Sequence, residues 1–190
     1  MDVIINCYFW IVKRELVYTD DGSSTIYLPE LDEHYHSSHG AIQEAIHVFI
    51  KNGLMYKDSE VITVFELGFG TGLNALLTLD EARKAKLKVW YIGLEAFPVD
   101  VKDAEKLNYV QELDNSLSEG FATMHSSLWN SDIIIDEFFT LEKVDEKIQD
   151  YTVVQSTVDL IYFDAFGFRA QEEMWSLDVL RKMYDLLKPK

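Results

Sequence analysis

The hydrophobic positions of this chain change period several times along its length, and each change marks an element. Residues 15–30 predict short strands around a turn: Asp20-Asp21-Gly22-Ser23 is turn chemistry, and Thr25-Ile26-Tyr27-Leu28 is a strand-like run. A polar, histidine-rich segment follows from Asp32 to Gly40. Ile42, Ala45, Ile46, Phe49 and Ile50 then recur at helical spacing, with Ser37 or Ser38 expected to cap the helix and Gly53 to end it. The unbroken run Val61-Ile62-Thr63-Val64-Phe65 predicts a strand buried on both faces. A glycine-rich turn leads into a helix from Leu73 to about Lys86, and residues 87–94 form the next strand, ending at Glu95. Residues 98–117 read as a helical region. Phe138-Phe139-Thr140-Leu141 opens a weaker strand that ends near Asp145, and residues 158–163 form a strong strand ending at Asp164. Ser176 is placed to cap a last helix on which Leu177, Leu180, Tyr184 and Leu187 share a face, with Pro189 as its stop.

Strand and helix in repeated alternation imply an α/β fold: a mostly parallel sheet with helices on both faces, preceded by a small N-terminal β/helix extension. One compact domain is expected. Residues 1–55 would form the extension, and residues 56–190 the core. In such sheets ligands bind beyond the carboxyl ends of the strands. Three strands end in an acid there, Glu66, Glu95 and Asp164, with Asp145 closing a fourth. Four carboxylates at one rim repel unless a cation or a set of donors sits among them.

Composition narrows the classes. Of 190 residues, 48% are hydrophobic and 26% charged, which is ordinary for a globular domain and excludes disordered and collagen-like chains. Cys7 is the only cysteine, so a disulfide scaffold is excluded and a reducing, cytoplasmic setting fits. The run Tyr8-Phe9-Trp10-Ile11-Val12 is far short of the roughly 20 residues that span a membrane, and no basic group precedes it as in a signal peptide. Lys and Arg number 17 against 33 Asp and Glu, a net charge of −16 that disfavours non-specific attachment to nucleic acid or anionic lipid.

The chemistry lies in Glu66-Leu67-Gly68-Phe69-Gly70-Thr71-Gly72, which follows a strand and opens a helix. A dinucleotide fingerprint needs glycine at position 73, where Leu73 stands, and a phosphate-binding P-loop needs a Gly-Lys-Ser/Thr that is absent. S-adenosylmethionine suits the turn. Its carboxylate suits a helix N-terminus, its ammonium suits nearby carboxylates, and its ribose diol suits an acid on the next strand. Glu95 lies about 20 residues after the glycines, where that acid belongs. Asp145 is placed either to accept from the adenine amino group or to act as a surface helix cap. His34, His36 and His39 lack the acidic or cysteine partners of a zinc site, so no metal is expected. His47 and His125 read as ordinary, partly buried histidines. Trp129 and Trp175 read either as core or as substrate-facing, with Trp175 the better placed after the Asp164 loop.

Several segments together resemble the MnmC-type methyltransferase family, which completes 5-methylaminomethyl-2-thiouridine at the tRNA wobble position. They are residues 66–74 (Glu66 to Asn74), residues 93–98 (Gly93 to Pro98), residues 159–167 (Asp159 to Gly167) with Glu173-Met174-Trp175, and upstream residues 35–41 with Glu44 and Phe49. The resemblance runs from about Glu15 to Lys190. It implies a Rossmann-like class I methyltransferase, S-adenosylmethionine as cofactor, tRNA as a weakly and locally held substrate, and Glu66, Gly68, Gly70, Gly72, Asn74 and Glu95 at the cofactor. It puts the catalytic aspartate on Asp164 and the adjacent aromatic on Phe166, which either stacks on a flipped base or packs in the core. The histidine segment His34 to His39 would lie over the cofactor and help close the pocket.

The chain departs from the family in places. Phe168 stands where the family often has proline. At Lys188-Pro189-Lys190 methyltransferases of this class place a glycine and two further strands, so a sheet without those last strands is expected. Residues 1–13 have no counterpart, and with no oxidase segment among these 190 residues the stand-alone form is expected. Two other functions compete: methylation of a small amine, which the charge of −16 suits, and a non-catalytic descendant that binds a partner. A basic edge of Arg169, Arg181, Lys182, Lys188 and Lys190 near the Asp164 loop would favour tRNA.

Overall fold

The computed structural model describes residues 13–189. Cys7, the run from Tyr8 to Val12, and Lys190 lie outside the described residues. Strands β1 (Glu15–Tyr18), β2 (Ser24–Leu28) and β3 (Glu33–His34) form a small antiparallel sheet. Next comes α1 (Ala41–Ala45), which runs into a wider π-type turn, Ile46–Lys51. The main sheet has the order β6-β7-β5-β4-β8, built from β4 (Val61–Leu67), β5 (Lys88–Glu95), β6 (Asp132–Ile134), β7 (Phe139–Asp145) and β8 (Leu160–Phe163). Pairing is parallel throughout except at the short edge strand β6. This is the Rossmann-like arrangement expected from the alternation of elements. Among the described residues no helix is long and apolar enough to cross a membrane.

Alternation along the strands sorts the core into two layers. Val64, Tyr91, Leu141 and Tyr162 face α2 (Leu73–Ala85) and the α1 region. Phe65, Leu67, Leu94 and Val144 face α6 (Leu177–Leu186). Each buried Leu, Val or Met side chain contributes up to roughly 1.5–3 kcal/mol. Ser176 caps α6 through its side chain, as its sequence predicts. The buried face of α6 is Val179, Met183 and Leu186, however, while Leu177, Leu180, Tyr184 and Leu187 are exposed. Both stripes have helical spacing. The strand residues beneath choose between them.

Other expectations needed correction. Neither Ser37 nor Ser38 caps α1, whose N-cap is Gly40. The hairpin supplies the acceptors instead: Thr19 Oγ1, Ser23 Oγ and Asp21 Oδ2 take the N–H groups of Ala41, Ile42 and Gln43. Residues 98–117 are not one helix. They form α3 (Val101–Ala104), α4 (Tyr109–Glu112) and a 3₁₀ turn at Asn115–Leu117, with α5 (Ser118–Ser126) following. Asp100 and Asp114 start new turns by accepting their own backbone N–H two residues on. Val158 stays outside β8 and makes a single parallel bridge to Leu187.

Candidate active site

The glycine turn sits between the carboxyl ends of β4 and β5. Gly68 and Phe69 both donate to Leu94 O, at 2.9 and 3.1 Å, which ties the turn to the neighbouring strand. Gly68 has φ +94°, and a Cβ there would stand 2.4 Å from Asp164 O. Glycine is therefore required for the turn and the end of β8 to approach backbone to backbone. Gly70 is also left-handed, with φ +51°, and faces the ring of Tyr35. Thr71 is held from two sides: Tyr109 donates to its Oγ1 at 3.1 Å, and His125 Nε2 lies 3.1 Å from its carbonyl oxygen. Burial pushes the His125 imidazole down to about 4, so at neutral pH it is uncharged and Nε2 carries the hydrogen.

Above the turn lies a cavity of about 700 Å³, large enough for a nucleoside-sized ligand. Gly68, Gly70, Asn74, Glu95, Asp164 and Phe166 all line it. Glu95 Oε2 accepts from Gly70 N–H and Oε1 from Phe97 N–H, each at 2.9 Å. Burial raises its carboxyl above the ordinary range, against the pull of those two bonds and the nearby Arg14 charge. Arg14 Nη2 donates to Phe97 O and Pro98 O, fastening the N-terminal sheet beside Glu95. Tyr35 meets Phe166 edge-on at 5.2 Å, so two aromatic rings from opposite ends of the chain close one side.

The deep end is a shared amide. Asn74 Nδ2 donates to Glu66 Oε1 and Asp164 Oδ2, both at 2.8 Å. Two carboxyl acceptors fix which end of the amide is nitrogen. Asn74 Oδ1 is then buried without a protein partner among the described residues. A buried acceptor lining a cavity calls for a donor from a ligand or water. Burial lifts Asp164 to about 7, with Asn74 pulling down and the Glu44 and Glu95 charges pushing up. Glu66 is lifted well above the carboxylate range by burial and by the Asp164 charge. Asp164 therefore titrates near neutral pH. The donors needed among the strand-end acids turn out to be one asparagine and two backbone N–H groups.

Three of the sequence-derived site residues lie outside the cavity lining. Glu66 is 1% exposed and lies beneath Asn74, outside the cavity lining, so it supports the site from below. Asp145 is exposed and outside the lining, because β7 turns its last residue outward; Glu146 lines the cavity in its place. Gly72 also lies outside the lining, and its Cβ position abuts His125. Trp129 packs on Phe69 and beneath the Lys143 ammonium and belongs to the core. His47 is exposed. His34 stacks on Tyr27, His36 pairs with Thr25 and His39 with Asp20, so the three histidines point apart. No metal-holding group of His, Cys, Asp or Glu occurs among the described residues.

Among the described residues, most of the basic candidates near the Asp164 loop are engaged within the chain. Lys182 is spent on backbone carbonyls, Lys188 pairs with Asp159 at 2.8 Å, and Arg181 lies 3.8 Å from Asp178. The cavity lining itself carries Glu33, Glu44, Glu95, Glu146, Asp150, Asp164 and Glu173 against Lys147.

No protein-family model matches the chain. Among curated proteins it is 26% identical over 188 residues to the tRNA 5-methylaminomethyl-2-thiouridine biosynthesis bifunctional protein MnmC of Burkholderia multivorans, covering 91% of this chain and 28% of that protein. The Leptospira interrogans protein of the same name is 27% identical over 169 residues, covering 81% and 26%. The chain resembles MnmC along nearly its whole length. A shorter stretch of 71 residues is 44% identical to the Burkholderia mallei MnmC. The chain spans between about a quarter and a third of the length of the first two MnmC relatives. The crystal structure of MNMC2 from Aquifex aeolicus superposes with a TM-score of 0.67 at 23% identity, over 93% of this chain and 57% of that one, which establishes the shared fold.

Proposed function

We propose that the chain is an S-adenosylmethionine-dependent N-methyltransferase acting on the aminomethyl group of the modified wobble uridine of tRNA. The observation that carries this reading is Asp164. It is a carboxyl at the strand-end rim, against the glycine turn, poised near neutrality and anchored through one oxygen only. Gly68, Gly70, Asn74 and Glu95 would hold the cofactor, with Glu95 at the ribose and the orphaned Asn74 Oδ1 able to accept from an ammonium. S-adenosylmethionine supplies an electrophilic methyl group when bound.

The remaining chemistry belongs to the chain. An amine nucleophile must be neutral, and it becomes cationic as it reacts. Asp164 Oδ1 has no hydrogen-bond partner among the described residues, so it is free to orient the amine and take its proton. Its charge favours the cationic transition state over the neutral amine, which raises rate rather than only affinity. Tyr35 and Phe166 exclude water and offer an aromatic wall to a base. The names of the MnmC relatives support tRNA as substrate, and a cytoplasmic setting goes with that reading.

The acidic lining favours a second reading, methylation of a small cationic amine. Labelled methyl transfer to tRNA from cells lacking the modification, beside a panel of small amines, separates the two. Transfer to tRNA alone supports the first, and transfer to amines alone replaces it with the second.

A further inference from the structure

The wall of the cavity beyond Glu95 is a single helical turn, Lys147 to Tyr151, closed by bonds from Asp150 N–H and Tyr151 N–H to Lys147 O. Glu146, Lys147, Ile148, Gln149 and Asp150 line the cavity along it. One turn has no following turn to take its carbonyls, and those oxygens carry the negative end of the turn's dipole. Three of them converge on one cation: Lys182 Nζ donates to Ile148 O at 2.7 Å, Gln149 O at 2.6 Å and Tyr151 O at 3.0 Å. An ammonium has three N–H groups, and all three are used here.

Lys182 comes from α6, whose Val179, Met183 and Leu186 pack under the sheet together with Ile148. The other end of the wall is fastened where Glu146 N–H donates to Glu95 O at 3.2 Å. The wall therefore hangs between the acid that ends β5 and a lysine on the last helix.

We propose that Lys182 is a positioning residue for the cofactor, its ammonium holding the turn at Lys147–Tyr151 against the nucleoside end of the ligand. The inference rests on the cofactor reading above. With the glycine turn after β4 and the ribose acid at the end of β5, the base of a nucleoside falls toward the end of β7, where this turn stands. Lys182 lies outside the cavity lining and would act through backbone carbonyls.

The test is calorimetric titration of the wild type, Lys182→Met and Lys182→Gln with S-adenosylhomocysteine, together with steady-state kinetics. Methionine keeps the stem and removes every donor; glutamine keeps two donors on a shorter arm. The expected result is at least tenfold weaker binding in Lys182→Met and an intermediate loss in Lys182→Gln. KM for S-adenosylmethionine should rise in parallel, while kcat at saturation and KM for the amine stay within about twofold. A merely structural lysine would lower active enzyme and melting temperature without that split. Wild-type affinity in either folded variant overturns the proposal. Failure of the wild type itself to bind S-adenosylhomocysteine overturns the cofactor reading and this inference together.

Discussion

At the residue scale, position makes the two acids that share Asn74 unequal. Its amide N–H groups serve Glu66 and Asp164 alike, but Glu66 lies wholly inside while Asp164 opens on the cavity. Burial raises both carboxyls, and Asp164 is the one that opens on the cavity. Asp164→Asn should cut turnover by roughly 10²–10⁴, the usual span for a positioned acid–base group, with cofactor affinity little changed. Rate at saturating substrate should rise with pH through about 7 as Asp164 ionises. The contribution of Asp164 to stability should move the other way. Between about pH 4, where an unfolded Asp releases its proton, and about 7, Asp164 holds a proton in the folded chain that it has lost in the unfolded one. Its contribution then falls as pH rises across that window, while His36 and His125, pushed down to about 4 by burial, contribute in the opposite sense. Thermal melts should show Asp164→Asn matching the wild type near pH 4 and exceeding it above pH 7.

Glu95→Ala should lose about 1–3 kcal/mol of cofactor binding, readable by calorimetry. It also removes the carboxylate that accepts from the N–H groups of Gly70 and Phe97. The strand-end acids were legible in the sequence because a run of β-branched residues followed by an acid shows where the rim lies. Their partners were not. Tyr35, Arg14 and Lys182 act across the fold, and no local spacing announces a contact between residues 35 and 166 or between 182 and 148.

At the element scale, the long strands and α2 emerged from periodicity because their burial is uniform. The region 98–126 did not, because Asp100 and Asp114 restart the backbone twice within it. The glycine turn was readable as a ligand turn, although the strictest constraint on it comes from β8. Gly68→Ala would place a methyl group against Asp164 O, backbone against backbone, in a left-handed conformation. Neither side can give without moving a strand. The variant should fold with lowered melting temperature and lose cofactor binding and turnover together, whereas Asp164→Asn should spare binding.

At the scale of the whole molecule, charge and shape disagree about a polyanion. The net charge is −16, the cavity is lined by acids, and most of the basic candidates near the Asp164 loop are engaged within the chain. Of those candidates, Arg169 has no ion pair among the described residues. With one or two phosphate contacts, the logarithm of tRNA affinity should fall with that of salt at a slope of only about −1 to −2. A filter-binding series across salt concentration would measure it. A steep slope would reveal a basic surface that the fold does not display.

The loop that follows Asp164 has one more property. Trp175 donates its indole N–H to Phe166 O at 3.0 Å, rests on Phe163 at 5.0 Å between ring centroids, and is 41% exposed. Its neighbours Glu173 and Met174 line the cavity. The indole is therefore wired to the same carbonyl segment that an occupant of the cavity would press on, while half its surface still reports on solvent. Tryptophan emission should shift when the cavity fills, and Trp175→Phe should remove most of the shift while leaving binding intact. The chain carries its own optical gauge of occupancy, which allows ligands to be ranked by fluorescence before any product is assayed.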